Sequence, residues 1–297
     1  MGQRCRARLQ PCQAAEKEMG RDMKKWLIIL IVTFVGSILQ IEPSPTAFSQ
    51  SKDEALKLYK KGDDARQYGR YQEALTYYEQ SLKINRLLND SEGITANLNN
   101  IGMVYKDQRR YHDALKYLEE ALKIQRVLNS PQNMAINLNN IGMVCDSLGR
   151  YNDALKFHEE SLKIYRELNI PQYIATSLNN IGMVYNSLGR YKDALKYHEE
   201  SLKIYRELNL PEDIAMSLNN IGGVYNFLGR YDNALKYLEE ALKIKRELNT
   251  PQDIATSLNN IGVVYHSIDR YNEALKYYEE ALKIRRVLNI PQDIAAI

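Results

Sequence analysis

One block returns every 40 residues through most of this 297-residue chain. It reads LNNIGMVYKDQRRY at Leu98–Tyr111, LNNIGMVCDSLGRY at Leu138–Tyr151 and LNNIGMVYNSLGRY at Leu178–Tyr191. It returns as LNNIGGVYNFLGRY at Leu218–Tyr231 and LNNIGVVYHSIDRY at Leu258–Tyr271. A second block follows each, such as DALKYHEESLKIYRELN at Asp193–Asn209. A strict period in this range marks a repeated supersecondary unit that cannot bury its apolar face alone, so neighbours must stack into a solenoid.

Each unit reads as two helices. In the first, Leu178, Ile181, Gly182 and Tyr185 fall at i, i+3, i+4 and i+7, one face of a helix. Gly189 ends it, because glycine takes the left-handed cap conformation cheaply. In the second, Tyr191, Ala194, Leu195, His198, Ser201, Leu202 and Leu208 form the predicted buried stripe. Lys196 with Glu200, and Glu199 with Lys203, are spaced to pair on the outside, each worth about 0.3 kcal/mol. Asn209 stops the helix. Pro131, Pro171, Pro211, Pro251 and Pro291 open the following first helices, where a missing N–H costs nothing. Gly182 and Ala194 are expected where the two helices touch, since larger side chains would hold them apart.

These residues resemble the tetratricopeptide repeat: Leu, Gly and Tyr in the first helix, Gly-x-Tyr at the turn, Ala-Leu and Ala/Ser-Leu in the second. The resemblance covers about residues 52–290. The 40-residue period is similar to the longer-helix variant of kinesin light chains and many bacterial arrays. It implies an all-α, right-handed α-α superhelix of six helix-turn-helix repeats, at about 52–90, 91–130, 131–170, 171–210, 211–250 and 251–290. Residues 291–297 start a seventh first helix, which leaves Tyr278 and Leu282 with little predicted cover. In the divergent first repeat Tyr59, Lys60 and Lys61 replace Asn-Asn-Ile, as suits a terminal cap with one face in water.

Residues 1–49 read as a leader. Met23-Lys24-Lys25 precedes an apolar run from Trp26, and Ala47-Phe48-Ser49 offers small residues at a cleavage site, the order of a secretory signal peptide over 23–49. The alternative is an uncleaved anchor at 26–41 with the array outside the cytoplasm. Either way the array is expected to be secreted or periplasmic, with no membrane contact except through the leader. Met23 is an alternative start. The leader holds seven of the 40 basic residues and four of the 37 acidic ones, so the remainder is neutral and offers no stripe for nucleic acid. Composition that is 44% apolar and 26% charged is globular, neither disordered nor multi-spanning. Cys5 and Cys12 lie in the leader and only Cys145 in the body, which excludes a disulfide framework and a cysteine zinc site.

No catalytic constellation, phosphate loop or cofactor motif is present, and the reading is of a non-enzymatic scaffold without cofactor or metal. His158 and His198 are one repeat apart, but their equivalents are Leu118, Leu238, Tyr78 and Tyr278. They are therefore stripe residues, about 10 Å apart and too far to share a metal. Paired glutamates such as Glu199/Glu200 read as a solvated face.

The remaining feature is a ladder of asparagines: Asn99/Asn100, Asn139/Asn140, Asn179/Asn180, Asn219/Asn220 and Asn259/Asn260. Asparagine is a mediocre helix former, so its place in mid-helix needs another reason. The resemblance implies that first helices line a concave face and that the second asparagine of each pair hydrogen-bonds the backbone of a bound peptide. Met103, Met143, Met183, Gly223 and Val263 lie one turn along, where the flexible thioethers could accept varied apolar side chains. Asn186 and Asn226 follow, where they could tune specificity. Alternatively, the same amides tie neighbouring helices together. Ala96, Ile136, Thr176, Met216 and Thr256 stand where carboxylate-clamp members of the family carry basic residues, so a neutral internal segment is the expected ligand. Two other readings stay open: a regulatory portion of a longer signalling or peptidase protein, and a self-assembly module forming homo-oligomers through an open C-terminal end.

Overall fold

The computed structural model describes residues 45–288, with side chains from Ser51 onward. The leader's apolar run and residues 291–297 lie outside the described residues. Compactness divides the chain after Glu54, and the repeats occupy the second unit. Among the described residues there are twelve helices and no strand. They are α1 (Pro45–Gln67), α2 (Tyr71–Leu87), α3 (Ser91–Asp107), α4 (Tyr111–Val127), α5 (Pro131–Ser147) and α6 (Tyr151–Glu167). Then come α7 (Pro171–Ser187), α8 (Tyr191–Glu207), α9 (Pro211–Phe227), α10 (Tyr231–Glu247), α11 (Pro251–Ser267) and α12 (Tyr271–Val287). These are six helix-turn-helix pairs.

The boundaries follow local chemistry. Proline occupies the first position of α5, α7, α9 and α11. Helix α3 lacks it and is capped by Asp90, whose carboxylate accepts from the Gly93 N–H at 3.0 Å. Second helices end on left-handed asparagines, Asn89, Asn129, Asn169, Asn209 and Asn249, at φ between 50° and 54°. First helices end on Gly69, Gly149, Gly189 and Gly229 at φ 68–72°, but two turns place Arg109 and Asp269 at φ 60°. Any Cβ is strained in that conformation, more in arginine than in aspartate, whose short polar side chain bonds locally. Arg109→Gly should therefore stabilise the protein by about 1 kcal/mol, read as a higher urea midpoint.

From α2 to α12 consecutive helices pack on one another, and each first helix from α3 on also touches the next first helix. Among the described residues no second helix approaches another second helix as closely, so first helices form the inner side of the stack. Leu98, Leu138, Leu178, Leu218 and Leu258, with the isoleucine three residues on in each, are almost wholly buried. Opposite them Ala114, Ala154, Ala194 and Ala234 are fully enclosed. A Cβ on Gly182 would lie 2.8 Å from His198 Cε1, so only glycine permits this approach.

Two expectations about the second helix need correction. Leu208 is not in the stripe: it follows the last turn and is 38% exposed, and Tyr205 fills the core in its place. Lys196 and Glu199 do not form the i,i+4 pairs. Glu200 instead accepts from Arg166 one repeat earlier, and Lys203 reaches Glu207. Arg206–Glu240 at 2.7 Å and Arg246–Glu280 at 2.9 Å repeat the bridge between second helices, so the second glutamate of these pairs is more than a solvated face. Exposed pairs of this kind contribute little individually.

One buried position varies between joints. Asn85, Gln125, Tyr165, Tyr205 and Lys245 occupy equivalent sites and all are buried. The Asn85 amide lies against Gly93, Gln125 accepts from Asn137 at 3.1 Å, and Tyr165 stacks on Tyr173 at 4.9 Å. Tyr205 meets the Thr176 hydroxyl at 2.9 Å. Lys245 is pushed down by burial and drawn back up by Asp253. On α12, Tyr278 and Leu282 are half-buried, while Leu275 is exposed.

Candidate functional site

The asparagine ladder lies on the inner helices, and its members divide into two groups. One group is spent within the protein. Asn140 Nδ2 donates to Asn99 Oδ1 at 2.9 Å, and Asn220 Nδ2 donates to Asn179 Oδ1 at 3.0 Å. Asn100 Nδ2 reaches the Tyr59 hydroxyl at 2.8 Å and Asp63 at 3.0 Å. Asn139 and Asn219 donate to the hydroxyls of Ser177 and Ser257 on the next first helix. These bonds clasp one repeat to the next.

The two histidines join this clasp. His158 Nδ1 is 2.8 Å from Asn139 Oδ1, and His198 Nδ1 is 2.8 Å from Asn179 Oδ1. Burial holds each ring down to a pKa of about 4, so both are neutral at pH 7. An N–H at Nδ1 then donates to the amide oxygen. Their role is packing and hydrogen bonding, and no group of three or more metal-binding side chains occurs among the described residues.

The other group is unspent. The side chains of Asn180, Asn186, Asn226, Asn259 and Asn260 make no hydrogen bond to other described residues, and the Asn186 and Asn226 amide oxygens are buried without a partner. Buried polar groups are normally paired, so such atoms mark an incomplete arrangement. Asn186, Asn226 and Asn260 line one recess of about 320 Å³ on the inner face, with Met183, Asn220, Gly223, Phe227 and Val263. His198 and Leu238 also reach it. The methionines divide likewise. Met103 is turned into the core, Met143 is half-buried and Met183 is 45% exposed.

Gly223 was expected only as a member of the methionine row, and Phe227 was not singled out. Their signal was departure from the repeat: glycine where three siblings have methionine, and phenylalanine where three have serine. Asp146, the repeat equivalent of Asn186, is pushed up by burial, with the Ser187 hydroxyl acting against the shift. Cys145 is buried and its thiol is pushed up by desolvation, as expected of an inert core thiol. Wider clefts open on the other side, one of about 800 Å³ between α10 and α12. Lysines, arginines and glutamates, among them the Arg246–Glu280 pair, surround Leu242, Tyr265 and Tyr277 in its walls.

A tetratricopeptide repeat family model matches residues 53–126, 93–167 and 213–286, more than half of the chain, and a second matches 174–213. Among solved structures, the apo form of RapI is 18% identical with a TM-score of 0.67, covering 92% of this chain and 96% of that one. A Rap protein complexed with Competence and Sporulation Factor is 17% identical with a TM-score of 0.65, covering 80% and 76%. BtubC (BKLC) from P. vanneervenii is 21% identical with a TM-score of 0.59, covering 80% and 92%. At these identities the likeness shows the fold. No curated protein matches the chain.

Proposed function

Since the chain belongs to the tetratricopeptide repeat family, we propose that it is a non-enzymatic scaffold that holds an extended, uncharged protein segment along its inner face. The observation that carries this reading is the coincidence of unspent amides with an open recess. Asn260 keeps donor and acceptor capacity, and Asn186 and Asn226 keep their amide donors, where Met183 and Val263 offer apolar contact. An amide that both donates and accepts can hold a peptide backbone without reading its side chains. A Rap protein of the same fold, complexed with Competence and Sporulation Factor, lends support to a binding role. The leader places the array outside the cytoplasm in this proposal. Among the described residues, no helix is long and apolar enough to cross a membrane.

The test uses peptides selected from a random phage-displayed library against the full chain. Asn180→Ala with Asn260→Ala should weaken the selected peptides by about tenfold, the worth of two hydrogen bonds, at unchanged helicity. Those amides hold nothing inside the protein, so folding should not change. Undiminished affinity, or a lowered thermal midpoint in this double variant, would make the ladder purely structural.

A further inference from the structure

Repeat five is unlike its siblings at two groove positions. Gly223 stands where Met103, Met143, Met183 and Val263 stand, and no atom lies within 4 Å of a Cβ built there. The absent side chain is thus an opening in the groove floor and not a close helix contact. Phe227 stands where Asp107, Ser147, Ser187 and Ser267 stand. It is 61% exposed, with its ring 5.5 Å from that of Tyr191 at an interplanar angle of 3°. A phenylalanine held flat by a second ring costs little entropy when another ring stacks on its free side.

The walls fix the charge of the occupant. No Asp, Glu, Lys or Arg lines the recess. A charged group entering it would lose water and find no counter-charge. Its size, about 320 Å³, is at the small end of ligand sites and suits one large side chain.

We propose that the recess over Gly223 is an anchor pocket for one uncharged aromatic side chain of the segment in the groove. That side chain stacks on Phe227 while the Asn186 and Asn226 Nδ2 groups donate to the adjoining main-chain carbonyl. The pocket rests on the groove reading above and gives it an address: an array of near-copies binds in one register because one repeat differs.

The test titrates N-acetyl-tryptophanamide into the full chain and follows the Met183 methyl signal by NMR. The expected result is a saturable shift that N-acetyl-leucinamide and N-acetyl-argininamide do not produce. Gly223→Met, which restores the sibling residue, should abolish the shift. It should not lower the thermal midpoint, because glycine is a poor helix former and the added side chain meets open space. Phe227→Ser should weaken binding about fivefold. No saturable shift, an equal shift with the leucine probe, or a shift that survives Gly223→Met would overturn the pocket. The phage-selected peptides separate the two readings. Peptides that lose affinity in Asn180→Ala with Asn260→Ala but not in Gly223→Met keep the groove and sink the pocket. Peptides indifferent to both sink both.

Discussion

Gly182→Val should lower the thermal midpoint by roughly 10 °C, whereas Gly223→Val on the stack's next first helix should leave it near the wild-type value. A Cβ at Gly182 would sit 2.8 Å from His198 Cε1 and 2.9 Å from both ring nitrogens. The ring cannot retreat cheaply, since it is enclosed and its Nδ1 is bonded to Asn179. Overpacking of this kind costs about 1–3 kcal/mol, and the displaced hydrogen bond adds about 1 kcal/mol. Gly223 is the matched control, because it carries the same β-branched penalty with nothing to strike. Equal midpoints in the two variants, by calorimetry or far-ultraviolet circular dichroism, would show that the helices do not meet face to face as described.

Acid should destabilise the array through His158 and His198. Both rings titrate near 4 when folded, against an ordinary value of 6.5. The unfolded chain therefore binds protons that the folded chain refuses. The stability is fully present above pH 6.5 and is lost progressively down to about pH 4, at about 3 kcal/mol for each ring. Asp146 and Asp213 are pushed up by burial and act in the opposite sense, gaining stability as they protonate. The histidine part is isolated by comparing wild type with His158→Leu/His198→Leu, since leucine stands at the same place in Leu118 and Leu238. Unfolding free energies from urea titrations at pH 7 and pH 4.5 should differ in the wild type by several kcal/mol more than in the double variant. Parallel behaviour of the two proteins would refute the role of the rings.

The helices were legible because their signals are local. Period, proline at the first position and left-handed asparagine or glycine at the last are each read within a few residues, and the repeat multiplies every signal. Stripe membership was less secure at the ends, where Leu208 and Tyr205 are three residues apart and the last turn decides which of them faces inward. The groove was legible as a location and not as an inventory. Asn140 and Asn180 stand in the same motif, yet Asn140 donates to Asn99 and Asn180 has no such bond. Such a bond joins side chains 41 residues apart and depends on both rotamers, which a repeat pattern does not encode. Gly223 and Phe227 were visible as irregularities, but only the empty space over one and the stacked ring beside the other give them meaning.

Near-identical modules in tandem carry a hazard during synthesis: any inner helix could dock on any outer helix. The varied buried position works against this exchange. A helix meant for Tyr165, if docked on Lys245, would enclose an ammonium away from Asp253. One meant for Gln125 would lose the Asn137–Gln125 hydrogen bond if docked on Tyr205. Either error costs more than a correct joint. Chain order is thus keyed at the seams, and shuffled modules should refold slowly even though each looks interchangeable with its neighbours.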